Sequence, residues 1–194
     1  MLLNRRELLS RGTAAAASVA AAPALAARGK KEEIDPFKAR VVRVPKGTTP
    51  GRLHVYPDRF AVYWTLEDDR AIYYPAGVAQ RHLWEPGTFV IKAKKQWPSW
   101  KPTEEMIERN PEAYEKWAEE PMPGGPNNPL GARALYLFYP RGGDSFLRIH
   151  GTNNPRTIRT RVSNGCARLT NHYIKDLYER VPMDTIVHLH PMQA

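Results

Sequence analysis

Arg148-Ile149-His150-Gly151-Thr152-Asn153 and, a short distance on, Ser163-Asn164-Gly165-Cys166-Ala167-Arg168-Leu169 form the stretch around which the rest of the chain is organised. It holds one histidine and the only cysteine of the chain, each beside a glycine. The largely apolar run Phe146–Ile149 predicts a strand that ends at His150. Cys166 lies too far along the chain to share a helical face with His150, so the two residues meet only if separate elements bring them together.

Cys166 and His150 together are suited to nucleophilic catalysis. A thiol becomes a strong nucleophile when an imidazole takes its proton and backbone amides stabilise the thiolate, which predicts a pKa below about 8 for Cys166. Gly165 lets the backbone turn tightly, so that the amides of Gly165 and Cys166 can stabilise an oxyanion. The alternative is that Cys166 is a small buried apolar residue, the commoner role of a lone cysteine.

The two motifs resemble the signature of L,D-transpeptidases, the cysteine enzymes that cross-link bacterial peptidoglycan. The resemblance rests on His150–Asn153 and Ser163–Leu169 and extends from about Gly51 to His190. One departure is Ile158-Arg159, where the family often has Ile-Gly. Further matching blocks lie at Trp84–Phe89, Met122–Leu135 and Asp176–Tyr178.

The resemblance implies a mostly β fold, an L,D-transpeptidase-like β-sandwich with a helix-bearing lid insertion at about 96–131 and a short C-terminal helix. It also implies that Cys166 is the nucleophile, that His150 is the general base and acid, and that the backbone carbonyl of Gly151 orients His150. The Gly165 amide would contribute to the oxyanion site. Substrate binding is assigned to five polar residues: Arg168, Ser163, Asn164, Thr152 and Asn153. The alternative is structural for two of them, since Arg168 could brace the loop and Ser163 could shape the turn.

The implied function is peptidoglycan acyl transfer in cell-wall synthesis or remodelling, without a cofactor or a bound metal. A donor stem peptide would form a thioester with Cys166, and an amine acceptor would then resolve it. The acceptor could be another stem peptide, a free D-amino acid or a wall-anchored protein. Two rivals stay open: an L,D-carboxypeptidase or endopeptidase that uses water as the acceptor, and a non-catalytic wall-binding module.

The formal net charge of +9 indicates an anionic partner. Peptidoglycan stem peptides carry free carboxylates and fit this charge. Nucleic acid does not fit, because the chain has no basic run interleaved with aromatic residues. A single cysteine also excludes an internal disulfide framework, and we expect a monomer.

The first residues have the pattern of a twin-arginine secretory signal. Arg5 and Arg6 precede an alanine-rich run, and Ala24-Leu25-Ala26 is an A-x-A cleavage site. A transmembrane anchor is the alternative, but the uncharged run 12–27 is too short and too rich in alanine. The sequence therefore predicts export to the periplasm by the twin-arginine machinery, with a signal peptide at 1–27, a linker and N-terminal segment at 28–50, and the catalytic domain at 51–194.

Alternating and β-branched runs predict a strand-rich domain. The pattern His188-x-His190 places two imidazoles on one strand face, but a metal site there lacks a third ligand. An antiparallel meander is predicted from three runs separated by short turns, at Leu53–Tyr56, Phe60–Trp64 and Ala71–Tyr74. Further strands are predicted at Thr88–Lys92, Leu135–Tyr139 and Ile186–His190.

Two helices are predicted. One runs from Thr103 to Trp117 in the insertion, which forms either a lid over the catalytic cleft or a segment that Trp97 and Trp100 pack onto the sheet. The other follows the cysteine motif, where Asn171 caps a helix through Tyr173–Tyr178 with a single apolar stripe.

Overall fold

The computed structural model describes residues 35–193, so the predicted signal peptide at 1–27 lies outside the described residues. The described part of the chain is mostly β, as the sequence predicts. Its strands are β1 (Arg40–Arg43), β2 (Leu53–Tyr56), β3 (Ala61–Leu66), β4 (Arg70–Pro75), β5 (Val78–Ala79), β6 (Gly87–Gln96), β7 (Arg133–Phe138), β8 (Asp144–His150), β9 (Arg161–Ser163), β10 (Ala167–Arg168) and β11 (Ile186–Leu189). Its α-helices are α1 (Glu104–Arg109), α2 (Pro111–Tyr114) and α3 (Asn171–Arg180), and 3-10 turns lie at Pro57–Arg59, Arg81–Leu83, Glu115–Trp117 and Pro155–Thr157.

Nine strands of residues 35–193 form one sheet in the order β1-β4-β3-β2-β11-β6-β7-β8-β10. The predicted meander is β2-β3-β4, whose neighbouring strands pair antiparallel. β11 pairs parallel with β2 and antiparallel with β6, and so joins the meander to the antiparallel strands β6, β7 and β8. At the far edge β10 pairs parallel with β8, the contact on which the candidate site depends.

Backbone contacts bring the two ends of this sheet together. Gly77, which follows β4, and Arg168 in β10 form an antiparallel bridge in which each amide donates to the other carbonyl at 2.8 Å. The short strands β5 and β9 pair in parallel beside it. The sheet therefore folds over one apolar core, and this is the form that the predicted sandwich takes. The core includes side chains from both ends of the sheet, among them Val55, Val62, Tyr74, Leu135, Leu147 and Ile149.

The apolar stripe of α3 packs into this core. Ile174 and Leu177 are fully buried, and burial of a leucine side chain stabilises a fold by roughly 1.5–3 kcal/mol. The helix is capped by Thr170, whose hydroxyl accepts a hydrogen bond from the Tyr173 amide. The prediction that Asn171 is the cap is wrong by one residue, because threonine is itself a good cap and the Asn171 side chain is held by another part of the chain.

β1 lies in the segment 28–50, which the sequence assigns to a linker and N-terminal region. It pairs antiparallel with β4, and the Ala39 amide donates to the Tyr173 hydroxyl at 3.1 Å. The compact unit begins at Asp35, on the N-terminal side of the domain boundary predicted at residue 51. The run Arg-Val-Val-Arg gives little indication of a strand in the sequence, because this edge strand buries only part of one face.

The insertion holds a broken helix where the sequence predicts one helix from Thr103 to Trp117. α1 ends at Arg109, and Asn110 has φ −151° and ψ 75°. Pro111 explains the break, because proline lacks an amide hydrogen and excludes the helical conformation from the residue before it. The helices of residues 35–193 are all too short or too polar to cross a bilayer.

Candidate active site

Parallel pairing of β8 with β10 brings the two sequence motifs together. Ala167 is level with Ile149, and both side chains are buried in the core. Alternate residues of a strand point to opposite faces, so the residues flanking these two share the other face. Cys166 therefore stands beside Arg148 and diagonal to His150, with roughly 7 Å between their Cβ atoms.

These side chains open into one cleft of about 960 Å³, which Cys166 and His150 both line. The opposite wall comes from the insertion, which contributes residues 99–106 together with Tyr114. Trp100 lines the cleft and packs edge-on against Tyr114 with 5.9 Å between the ring centroids. The insertion therefore borders the candidate site, while its motion as a lid stays a prediction.

His150 is held by the backbone at the end of β8. Its Nδ1 lies 2.6 Å from the carbonyl oxygen of Gly151, the contact that the family resemblance implies. A carbonyl only accepts, so Nδ1 carries the proton and Nε2 is the nitrogen that can act as a base. Burial lowers the pKa of His150 to about 3, helped by the charges of Arg168 and Arg148 and opposed by backbone carbonyls. The imidazole is therefore neutral at pH 7.

Cys166 is partly exposed, and its surroundings favour the protonated thiol. Burial raises the pKa of its thiol above the ordinary value, although the backbone amide of Arg148 and the charges of Arg148 and Arg168 oppose this shift. The expectation of a pKa below about 8 is thus wrong for this structure, because the neutral His150 supplies no positive charge and desolvation penalises the thiolate. The pair rests as a neutral thiol and a neutral imidazole.

The loop before Cys166 is shaped for a tight approach. Gly165 has φ +129°, in the left-handed region that favours glycine, and an added Cβ would lie 3.0 Å from the Leu147 side chain. Ser163 closes the turn by donating its hydroxyl hydrogen to the Cys166 carbonyl at 2.5 Å. Within residues 35–193, the amides of Gly165 and Cys166 donate to no other backbone carbonyl, which leaves them available to an oxyanion.

Asn171 fixes the backbone around the candidate base. Its Oδ1 accepts hydrogen bonds from the amides of Ala132 at 2.8 Å and Thr152 at 3.3 Å. A Cβ on Gly151 would lie 2.3 Å from that oxygen, so Gly151 must be a glycine for the contact to form. The carbonyl that orients His150 is thus held in place by the first residue of α3, a role that the sequence analysis missed because it assigned Asn171 to capping.

Comparison with known proteins agrees with this geometry. Residues 50–189 match the family model of the L,D-transpeptidase catalytic domain, called YkuD. The chain belongs to the L,D-transpeptidase family. A full-length relative is "Putative L,D-transpeptidase in ATP synthase subunits region ORF 5" of Fuscovulum blasticum, which is 34% identical over 95% of this chain and 96% of the relative. "Probable L,D-transpeptidase YbiS" of Escherichia coli K12 is 37% identical over 64% of this chain and 39% of its own length.

Solved structures share the fold of this L,D-transpeptidase domain. One is described as a probable carnitine operon oxidoreductase, CaiA, from Brucella melitensis, and it is 42% identical with a TM-score of 0.54 over 77% of this chain and 91% of that one. The C442S mutant of the Enterococcus faecium L,D-transpeptidase is 12% identical with a TM-score of 0.51 over 73% of this chain and 50% of that one. The oxidoreductase name differs from the family assignment, which rests on the domain match and the curated relatives.

The remaining residues predicted to bind substrate mostly have protein partners in the transpeptidase domain. Asn153 donates to the Asn127 carbonyl at 2.8 Å, and Thr152 is buried, with its hydroxyl oxygen accepting from the Asn154 amide. Asn164 instead ties the nucleophile loop to the insertion, and its side chain contacts Arg109 at 3.1 Å and Tyr114 at 3.3 Å. With Ser163 engaged by Cys166, these contacts favour structural roles for the polar residues of both motifs.

Arg168 differs from those residues because its donors are largely free. The half-buried guanidinium lines the cleft, and its Nη2 makes one long contact of 3.5 Å to the Thr157 carbonyl. Among residues 35–193, no partner lies within hydrogen-bonding distance of its buried Nε.

Arg148 is the cleft residue that the sequence analysis did not assign. Its guanidinium binds Asp144 through two hydrogen bonds of 2.7 Å and lies 4.0 Å from the ring centre of Tyr136. This fixed positive charge stands beside Cys166 and would stabilise a thiolate as it forms. Arg148 belongs to the motif quoted from the sequence. Its contacts could not be predicted from that motif, because they depend on the register of β7, β8 and β10.

Proposed function

We propose that this protein is a cysteine-dependent peptidoglycan L,D-transpeptidase that transfers the acyl group of a donor stem peptide to an amine acceptor. The observation that supports this most directly is the parallel register of β8 and β10. It sets Cys166 diagonal to His150, beside Arg148 and in a cleft large enough for a peptide. Family membership agrees with this assignment.

Acylation begins with the neutral pair. The sulfur of Cys166 attacks the carbonyl carbon that follows an L-configured centre in the donor, and Nε2 of His150 takes the thiol proton. The carbonyl oxygen becomes an oxyanion and accepts hydrogen bonds from the amides of Gly165 and Cys166. The C–N bond then breaks, and His150 returns the proton to the amine of the departing D-amino acid. A thioester on Cys166 remains.

Transfer to the acceptor reverses these steps. The acceptor amine attacks the thioester carbonyl, His150 takes a proton from the amine, and the C–S bond breaks. His150 then returns the proton to the sulfur of Cys166. One peptide bond is broken and one is formed, so the acyl transfer balances without an oxidant, a reductant or a nucleotide.

Arg168 supports an anionic donor. Its side chain lines the cleft and, among residues 35–193, makes a single long hydrogen bond, whereas Arg148 is already paired with Asp144. A stem peptide has a free carboxylate at its end, and a guanidinium can bind a carboxylate through two parallel hydrogen bonds. We therefore assign the donor carboxylate to Arg168.

Product masses test the proposed reaction. The protein without residues 1–27 is incubated with a disaccharide-peptide, and the products are separated and weighed. A cross-linked dimer supports transfer, and a monomer that has lost only its terminal residue assigns the protein to the hydrolytic rival. Unchanged substrate with a folded protein would contradict both enzymatic functions. Cys166→Ala and His150→Gln should each abolish the product, whereas His82→Gln, a change at an exposed imidazole outside the cleft, should not.

We propose that this reaction takes place in the periplasm after twin-arginine export. The support is the arginine pair, the alanine-rich run and the Ala24-Leu25-Ala26 site. Changing Arg5 and Arg6 together to Lys should leave the precursor in the cytoplasm, because the transport receptor recognises the arginine pair. Fractionation that finds an unchanged periplasmic level would rule out this route.

A further inference from the structure

A second cluster of polar side chains lies on the outer face of the sheet, across β2, β11 and β6. Neighbouring residues such as Val55 and Val187 point into the core, so the histidines that alternate with them point outward. His54 and His188 are level in the parallel pair of β2 with β11, and their rings stack with 4.9 Å between centroids. His190 joins them, with its Nε2 3.0 Å from Nδ1 of His54.

A depression of about 450 Å³ lies beside these imidazoles. His54 and His188 line it, and the other polar side chains around it are those of Arg52, Thr48, Thr49 and Thr88. No carboxylate of residues 35–193 is among the lining groups. Asp69 accepts a hydrogen bond from the Gly47 amide at 2.8 Å and does not line the depression. The depression is therefore lined by basic side chains without a neighbouring acid.

Arg52 is the charged group of this depression. Its guanidinium forms no ion pair with any carboxylate of residues 35–193, although the residue is partly buried. Burial and then the charge of Arg52 lower the pKa of His188. Burial, His188, His190 and Arg52 together lower the pKa of His54 to about 4. A positive charge beside neutral imidazoles, without an anion, is an arrangement that an anionic ligand would stabilise.

The ring nitrogens leave donors for such a ligand. Nδ1 of His54 is engaged by His190, and Nδ1 of His188 is 3.1 Å from the Thr88 hydroxyl. Nε2 of His54 and Nε2 of His188 are therefore the nitrogens that remain for a ligand. Two other cationic side chains on neighbouring elements are engaged elsewhere: Lys92 is paired with Asp184, and Arg59 lies over the Tyr56 ring.

We propose that this depression binds a phosphate-type oxyanion through the Arg52 guanidinium and the Nε2 atoms of His54 and His188. A tetrahedral dianion offers several acceptor oxygens in different directions, which suits donors on three side chains. Its charge would also draw protons onto the imidazoles, so binding should strengthen as the pH falls. The ligand is either the free ion or a phosphomonoester on a larger molecule.

Sulfate is the probe for charge and pH, because it stays a dianion between about pH 7.5 and about pH 5.5. Calorimetric titration should show saturable binding that tightens over this range, by up to about tenfold per pH unit for each proton taken up. Arg52→Gln should weaken binding by about tenfold or more, since it removes a charge-assisted donor. Arg141→Gln makes the same charge change at an exposed turn and should leave binding unchanged.

Imidazole NMR of the unmodified protein locates the ion without relying on a variant. Sulfate should shift the His54 and His188 signals and raise their pKa values, and it should leave His150 unmoved. Titration with inorganic phosphate and with glycerol phosphate then separates the two sources, because only a site for phosphomonoesters accepts the second. Absence of saturable binding, shifts confined to His150, or full affinity in folded Arg52→Gln would each overturn the proposal.

Discussion

His150 makes the stability of the fold depend on pH, and the size of the effect follows from its burial. The residue is 5% exposed, and its pKa is about 3 in the native state against 6.5 for the unperturbed side chain. Because the native pKa is depressed, the stabilising contribution is present above about pH 6.5 and is lost as the pH falls toward about 3. The unfolded chain takes up the proton first. Between pH 7 and pH 5 the loss due to His150 is about 2 kcal/mol.

Urea unfolding followed by tryptophan fluorescence at pH 7, 6 and 5 measures this loss. The unmodified protein and His82→Gln should each lose about 2 kcal/mol more than His150→Gln between the two extremes. His82 is exposed, so its variant controls for the removal of an imidazole. The partly buried histidines His54, His188 and His190 are present in all three proteins and cancel in the comparison. Equal losses in the three proteins would refute the assignment of a neutral, desolvated imidazole to position 150.

Four further outcomes follow from the same contacts. The rate at which iodoacetamide alkylates Cys166 should rise with a midpoint above the ordinary thiol pKa of about 8.5, and Arg148→Met should raise that midpoint further while Asp144→Asn lowers it. A carbapenem should form a one-to-one adduct, seen by intact mass, that Cys166→Ala abolishes. Arg159 has φ 65°, so thermal unfolding should show Arg159→Gly to be more stable than Arg159→Ala by about 1 kcal/mol. Asn171→Ala should cost about 1–3 kcal/mol of unfolding free energy by leaving two amides unpaired, and Asn171→Asp, which keeps the acceptor, should cost less.

Local patterns predicted the elements that depend on local physics. The meander β2-β3-β4 is confirmed because its runs alternate and are separated by short turns, and the strand that ends at His150 is confirmed for the same reason. The single helix predicted from Thr103 to Trp117 is wrong at Asn110, because Pro111 disfavours the helical conformation of the residue before it. The departure Ile158-Arg159 has a structural counterpart, because Arg159 occupies a left-handed conformation where the family often has glycine.

Contacts between distant parts of the chain were beyond the reach of sequence reasoning. The acidity of Cys166 depends on burial and on Arg148, whose side chain is placed by the pairing of β7, β8 and β10. Asparagine is a residue type that often caps helices, but the Oδ1 atom of Asn171 accepts a hydrogen bond from the Ala132 amide instead. On the outer face, His54 in β2 and His188 in β11 are neighbours because these strands are adjacent in the sheet, although they are far apart in the chain.

The neutral resting pair and the fixed charges around it imply that the reaction itself creates the thiolate. Desolvation keeps the Cys166 proton in place and the pKa of His150 low, so neither group is charged before substrate arrives. Arg148 is held rigidly by Asp144, and the loop amides are positioned by Gly165, so their favourable interactions grow as negative charge develops on sulfur and on the carbonyl oxygen. A reagent that only alkylates sulfur is helped by the interaction of Arg148 with the thiolate but forms no oxyanion for the loop amides to bind. An acylating substrate gains both, so these contacts agree with the proposed acyl transfer rather than with other reactions of the same thiol.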